Sequence, residues 1–482
     1  MKQKDVVIVG AGFGGIGMGH KLKQAGFEDF VIIDKNSGPG GTWRTNTYPG
    51  AECDIPSFLY SYSFGPKMAW TRKWSGQEEI LAYVEKCVDA FGIRPNMRFG
   101  NAITSATFDT ATHRWRISLD NGEIYECRHF ISSIGQLHVP NWVNYLGQDK
   151  FHGPIFHSAE WDHSVDLKGK RIGVIGNAAS ALQFIPEVAK QAGELTVYQR
   201  TANWVLPKGN KTYSGFVRAI LRHVPGIARL YRHMIWAQGE HMLFPVMEGS
   251  KFHERLLGGM FRRNFQKQVK DLELREALTP PYPLGARRVL LSDNYYDALT
   301  RDNVDLVTDP IDHFDDKGIV TKDGQHKALD MVILGTGFQT NPFLQTLQIT
   351  GRTGRSLREH WGNGGARAYL GIAVPEFPNL HLMYGPNTNS GHTSMIIKLE
   401  AQIDYIVKLI KLADKGAIEV TKRAADAFDE EMQTRLSASQ WNKIGRSYYK
   451  DGDRITANWP GSSREYQKRT ERPDHSDFEL VS

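Results

Sequence analysis

Two short glycine-rich turns, each set between a run of β-branched residues and a helical stretch, restrict this chain more than any other feature. Residues 5–9 lead into Gly10-Ala11-Gly12-Phe13-Gly14-Gly15, then a helical stretch over 16–25 and a second strand over 30–34 that ends in Asp34. The order recurs as strand 171–175, turn Gly176-Asn177-Ala178-Ala179-Ser180-Ala181, helix 182–191 and strand 194–198. Strand, turn, helix and strand within about thirty residues build a parallel sheet, because parallel neighbours need a crossover long enough to hold a helix. A third strand-like run at 331–334 precedes Gly335-Thr336-Gly337. Together these predict an α/β chain of two interleaved Rossmann-like dinucleotide-binding domains.

In the first turn Gly10, Gly12 and Gly15 meet three steric demands: a tight turn, close approach of backbone to pyrophosphate, and close helix-to-strand packing. The phosphates then rest on the helix N-terminus. Asp34, about twenty residues on, is placed to accept hydrogen bonds from a ribose 2′-OH. In the second turn Gly176 and Ser180 keep the pattern, while Ala178 and Ala181 stand where glycine is common; alanine costs little there if φ stays negative. Its second strand ends in Gln199-Arg200-Thr201. A guanidinium and a hydroxyl suit a 2′-phosphate that a carboxylate would repel, so Arg200 and Thr201 assign this site to NADPH.

At 482 residues the chain needs more than one hydrophobic core. It is 40% hydrophobic and 23% charged, an ordinary globular composition, and the net charge of +6 suits anionic cofactors without pointing to nucleic acid. Cys53, Cys87 and Cys127 lie too far apart for a metal or C-x-x-C arrangement. No metal site is expected, and a reducing cytoplasm suits three thiols. No run approaches the roughly 18 apolar residues of a transmembrane helix.

Further segments carry a family resemblance. Between the two turns lies Phe151-His152-Gly153-Pro154-Ile155-Phe156-His157-Ser158-Ala159-Glu160-Trp161-Asp162, with the spacing F-x-G-x-x-x-H-x-x-x-W-D. Residues 40–54 read Gly-Gly-Thr-Trp-Arg-Thr-Asn-Thr-Tyr-Pro-Gly-Ala-Glu-Cys-Asp, and residues 281–288 read Pro-Tyr-Pro-Leu-Gly-Ala-Arg-Arg. These resemble the type I Baeyer–Villiger monooxygenases, flavoenzymes that use NADPH and O2 to turn ketones into esters or lactones. Matches continue at 133–136, 335–338, 385–389 and 459–462.

The resemblance implies FAD in the first site, with Gly41, Thr42, Trp43, Tyr60, Gln136, Asn387 and Trp459 along it. Arg288 becomes the catalytic cation, Asp54 the carboxylate that holds it, and Arg287 a contact to the NADPH phosphate. Phe151, Gly153, His157, Trp161 and Asp162 form the fingerprint, whose histidine acts at the hinge between domains. The implied chemistry is capture of O2 by reduced flavin as a peroxyflavin that attacks a ketone. The related branch that oxygenates nitrogen or sulfur is the alternative, and it typically lacks the Trp-Asp ending. A disulfide reductase would need a cysteine pair, and a non-catalytic flavin protein would share the motifs without turnover.

The expected layout is an FAD domain over 1–142 and 318–482 and an NADPH domain over 143–317. A helical insertion over 213–278 departs from the resemblance and would carry substrate preference. Its apolar faces are expected to turn toward a core or pocket rather than a membrane. The segment from about 468 onward reads as a solvated tail.

Overall fold

The computed structural model describes residues 1–481 apart from Lys415, Arg446 and Tyr448. Its first sheet runs, in parallel, Met97–Phe99, Phe30–Asp34, Lys2–Val9, Ile124–Ser132 and Leu380–Leu382. Residues 6–9 and 30–33 are buried on both faces, which explains why they read as unbroken apolar runs. Val6, Ile8, Phe30 and Ile32 pack with Ile16, Leu22 and Ile403 from the helices Phe13–Gln24 and Met395–Ala413. Val7, Val9, Val31 and Ile33 share the opposite cluster with Trp115, Ile117 and Phe130. On the edge away from Lys2–Val9, the nine-residue strand Ile124–Ser132 serves two neighbours. Its first half is antiparallel to Arg114–Leu119, and its second half is parallel to Leu380–Leu382.

The second sheet is wholly parallel, in the order Val304–Val307, Glu194–Tyr198, Arg171–Ile175, Met331–Leu334, Ile155–His157. Here the expected return to the first unit at 318 is corrected. All four residues of Met331–Leu334 are buried, and the strand has parallel partners on both sides inside the second sheet. The chain crosses back only after Leu334, alongside the segment by which it left. Asn141 N–H donates to Gly337 O and Gln339 N–H to Val139 O, both at 2.9 Å, with Pro140 bridged to Phe338.

The insertion is helical, as expected: Gly215–His223, Ile227–Gln238, a π-helical turn Gly239–Leu243, then Phe244–Met247, Lys251–Gln268 and Leu272–Ala277. The expected inward apolar faces hold for the long helix, where Leu257, Phe261 and Phe265 are buried. They fail for Gly215–His223, which buries no residue and leaves Phe216 76% exposed. The expected C-terminal tail is also corrected. Ser463–Arg469 is a helix, and Phe478–Leu480 pairs antiparallel with Ile418–Val420, whose backbone would otherwise form an open edge.

Candidate active site

The two glycine turns share one construction. Gly10 (φ +101°) and Gly176 (φ +107°) each abut the end of a neighbouring strand, where a Cβ would lie 2.6 Å from Ser133 O and 2.4 Å from Gly335 O respectively. Gly12 and Ala178 cap the following helices without any side-chain hydrogen bond, which leaves first-turn N–H groups for a pyrophosphate. Gly15 packs against the Gly10 carbonyl. Ala178 holds φ at −78° and Ala181 is fully buried in the helix, so alanine at these positions carries no backbone strain. Ser180 lies in the first turn of that helix, partly exposed.

Above the first turn Gly41 closes a cradle. Its φ of +54° and ψ of −125° suit glycine alone, and a Cβ there would come within 3.1 Å of Gly12 Cα. Thr42 and Trp43 start the short helix Thr42–Thr45. Trp43 Nε1 donates to the Tyr60 hydroxyl at 3.0 Å, and the Tyr60 ring meets Phe13 edge-on at 5.2 Å. A glycine cradle with an aromatic wall fits a dinucleotide carrying a planar ring.

Asp34 ends its strand as expected, yet it is only 7% exposed. Oδ2 accepts from Ala11 N–H at 2.6 Å, and Oδ1 accepts from the Asn36 backbone and side-chain amides. The carboxylate therefore shapes the glycine turn, a role the sequence reading did not give it. Two other expected cofactor contacts are corrected. Trp459 is 1% exposed, its indole donating to Ser462 O and its ring boxed in by Phe428 and Tyr466, so it has no surface to offer a ligand. Asn387 is 3% exposed, and its amide is used on the carbonyls of Ile455 and Asn458. Gln136 is 7% exposed and lines a small cleft with Gln339 and Phe343 beside the crossover.

In the second unit Arg200 is exposed beyond the end of Glu194–Tyr198, and the Thr201 carbonyl accepts from Asn177 of the turn. Arg287 lies over the Tyr282 ring, 4.8 Å from its centroid. Tyr282 donates to Asn203 Oδ1, and Asn203 donates to the Asn177 carbonyl, so one chain of contacts ties Arg287 to this turn.

Between the units, Arg288 Nη2 donates to Asp54 Oδ1 at 2.6 Å, with 30% and 26% of the two side chains exposed. Both line a cavity enclosing about 530 Å³, part of it open to solvent, with Ile55, Val246, Met247 and Leu257 among its apolar walls. The loop carrying Asp54 is pinned from the far side. Tyr48 and the Glu52 N–H both donate to Gln183 Oε1, and Glu52 pairs with the buried Lys208 at 2.5 Å. Asp54 thus belongs to the first unit, while the second fixes its position.

The fingerprint residues pack rather than react. Phe151 meets Phe314 edge-on, and a Cβ on Gly153 would lie 2.3 Å from Asp330 O. Trp161 is wedged between Phe156 and Phe184, and exposed Asp162 accepts from Ser164. His157 is fully buried beside Trp142 and Phe338, the two sides of the crossover. Its Nδ1 accepts from Ala159 N–H, which puts the proton on Nε2; burial lowers its pKa, with the Gly337 backbone opposing.

Sequence reasoning missed a buried cluster on the cavity wall. His392 Nε2 lies 3.3 Å from Glu240 Oε1, which also accepts from the N–H and hydroxyl of Ser463. Burial pushes Glu240 up, but the bonds from His392 and Ser463 outweigh it and leave the carboxyl below its usual range. A polar run, Ser390-Gly391-His392-Thr393-Ser394, directly before the helix was the available signal.

Two dinucleotide turns, one cavity between them and a held guanidinium on its wall define a two-nucleotide oxidoreductase. Residues 7–224 match the family described as pyridine nucleotide-disulphide oxidoreductase, and residues 127–354 match flavin-binding monooxygenase-like. The disulfide chemistry of the first has no counterpart here, since Cys53, Cys87 and Cys127 are buried and unpaired. A Baeyer-Villiger monooxygenase of Streptomyces coelicolor is 37% identical over 99% of this chain and 92% of its own length. One of Pseudomonas aeruginosa is 37% identical over 99% and 91%. Among solved structures, an oxidized steroid monooxygenase bound to NADP superposes with a TM-score of 0.88 at 32% identity, covering 99% of each chain. The chain belongs to the Baeyer–Villiger monooxygenase family of flavoproteins.

Proposed function

We propose that this FAD- and NADPH-dependent monooxygenase converts ketones to esters or lactones in the cavity between its two units. FAD would lie along Gly10, Gly12, Gly41, Trp43 and Tyr60, and NADPH along Gly176 and Ser180 with its 2′-phosphate toward Arg200, Thr201 and Arg287. When bound, the reduced flavin supplies an oxygen atom from O2. The observation that carries the reading is the 2.6 Å pair of Arg288 and Asp54 on the wall of a largely apolar cavity.

A ketone oxygen gains negative charge as its carbon is attacked, and a guanidinium stabilises that charge most where water is scarce. Asp54 holds the guanidinium on the cavity wall by a charge-assisted hydrogen bond. It also fixes the guanidinium before substrate arrives, so little reorganisation is needed during the reaction. The aliphatic walls, Ile55, Val246 and Leu257, exclude water and accept the hydrocarbon part of the ketone. His157, fully buried between Trp142 and Phe338, serves as a positioning residue at the crossover. Three buried free thiols suit a reducing compartment, and we place the enzyme in the cytoplasm.

Arg288→Ala should retain FAD and continue to oxidise NADPH while ester formation falls by about 10²–10³-fold, read by mass spectrometry of products. Full ester yield from that variant overturns the assignment. A ketone and a thioether offered side by side test the alternative, since sulfoxide without ester would place the enzyme with the heteroatom oxygenases.

A further inference from the structure

Nine of the fourteen exposed large hydrophobic side chains among the described residues fall within 213–278. On Gly215–His223, Phe216 (76%) and Val217 are exposed neighbours in the first turn, and Val224, just past the helix, is exposed as well. On Ile227–Gln238, Leu230 and Met234 are spaced i and i+4, and on Lys251–Gln268, Phe252, Leu256 and Met260 continue that spacing along one outer stripe. The inner stripe of the last helix, Leu257, Phe261 and Phe265, is buried. The outer stripe is therefore a second apolar face on a helix that already has one.

The charge of the molecule is concentrated on the same segment. Residues 214–270 hold ten Lys and Arg against three acids, Glu240, Glu248 and Glu254, and Glu240 is buried with His392. That leaves 49 basic and 50 acidic residues for the rest of the chain, out of totals of 59 and 53. The whole net positive charge thus resides on the helices that expose the apolar stripes. From 214 to 238 there is no acid at all, and Arg218, Arg222 and Arg229 are exposed. Short helices with an apolar arc flanked by arginine lie in the interface plane of a bilayer, the apolar side chains in the headgroup boundary and the cations on anionic lipid.

We propose that the outer face of the helical insertion docks reversibly on an anionic phospholipid surface. The docking is peripheral, since no helix among the described residues is long and apolar enough to cross a membrane. The partner is lipid rather than nucleic acid because the cations are interleaved with aliphatic and benzyl side chains, which phosphate backbones do not need. The same insertion contributes Leu243, Val246, Met247 and Leu257 to the cavity. Docking therefore sets the cavity wall against the phase in which apolar ketones dissolve.

The experiment is sedimentation of the holoenzyme with phosphatidylcholine vesicles, alone or with about one third phosphatidylglycerol. The expected result is pelleting with the anionic vesicles only, reversed as salt shrinks the Debye length below roughly 5 Å. The double variant Phe216→Ser, Phe252→Ser should weaken pelleting about tenfold. Arg218→Glu with Arg222→Glu should remove the preference for anionic lipid. Melting temperature and flavin content should stay unchanged in both. The proposal is overturned if the holoenzyme stays in the supernatant at low salt, or if the serine variant pellets as well as the parent. It also fails if the serine substitutions change the oligomeric state in light scattering, which makes a second copy the occupant. Duplex DNA retained equally by parent and serine variant assigns the arginines to nucleic acid instead.

Discussion

Arg200 and Arg287 illustrate how far single residues can be read. Both are cationic and close to the second turn, one exposed at a strand end and one laid on Tyr282. A free guanidinium discriminates NADPH from NADH through one phosphate, so Arg200→Ala should raise KM for NADPH by about 10–100-fold and leave KM for NADH nearly unchanged. Initial rates with both cofactors check this, and equal effects would move the phosphate contact elsewhere. The pairing of Arg288 with Asp54, 234 residues apart in the chain, was legible from motif position. Residues that act by shape were misjudged. Trp459 and Asn387 carry polar or aromatic groups that a motif makes look functional, yet the Trp459 indole is spent within its own loop and the Asn387 amide on the carbonyls of Ile455 and Asn458. Asp34 shows the reverse, a carboxylate expected at a ligand that is spent mainly on the backbone amides of Ala11 and Asn36. No local pattern in the sequence says which amides a buried carboxylate will meet.

At the scale of elements, the strand–turn–helix units were legible because glycine spacing and β-branched runs reflect local sterics. The cradle at Gly41 is the sharpest case. A methyl group there meets both a left-handed backbone and the Gly12 Cα, so Gly41→Ala should cost at least about tenfold in FAD affinity, seen as flavin lost during gel filtration. A variant that keeps its full flavin complement would show that the loop yields. Strand assignment failed at Met331–Leu334, where the run was correctly read as a strand but assigned by its place in the chain. Its partners, Ile155–His157 and Arg171–Ile175, lie more than 150 residues upstream, and sheet membership is fixed by such distant pairings. The apolar arc of Gly215–His223 was misread because periodicity reveals an apolar face without revealing what covers it.

The molecule as a whole carries a pH dependence that no motif announces. His129 on Ile124–Ser132 and His381 on Leu380–Leu382 stack 5.6 Å apart in the first sheet, their ring nitrogens 3.3 Å apart. Burial holds His129 well below its ordinary value, His381 adding to the effect, and lowers His381 to about 3. Both are neutral in the native state, whereas the unfolded chain takes up protons near pH 6.5. Stability from this pair is therefore complete above about pH 6.5 and declines as pH falls from there toward 3. His381 contributes up to about 1.4 kcal/mol per pH unit in that window, and His129 acts in the same direction. His381→Gln should lower the melting temperature at pH 7 but show a shallower further loss between pH 7 and 5; parallel curves for parent and variant would refute the account.

The paired segments at Pro140 and Phe338, through which the chain departs and comes back, have an evolutionary corollary. Since the two ends of residues 142–336 stand side by side, the second unit resembles a cassette slotted into one loop of its host. Excised with a short turn to bridge the gap, either portion keeps its own sheet intact, which makes each a natural starting point for building chimeras between relatives.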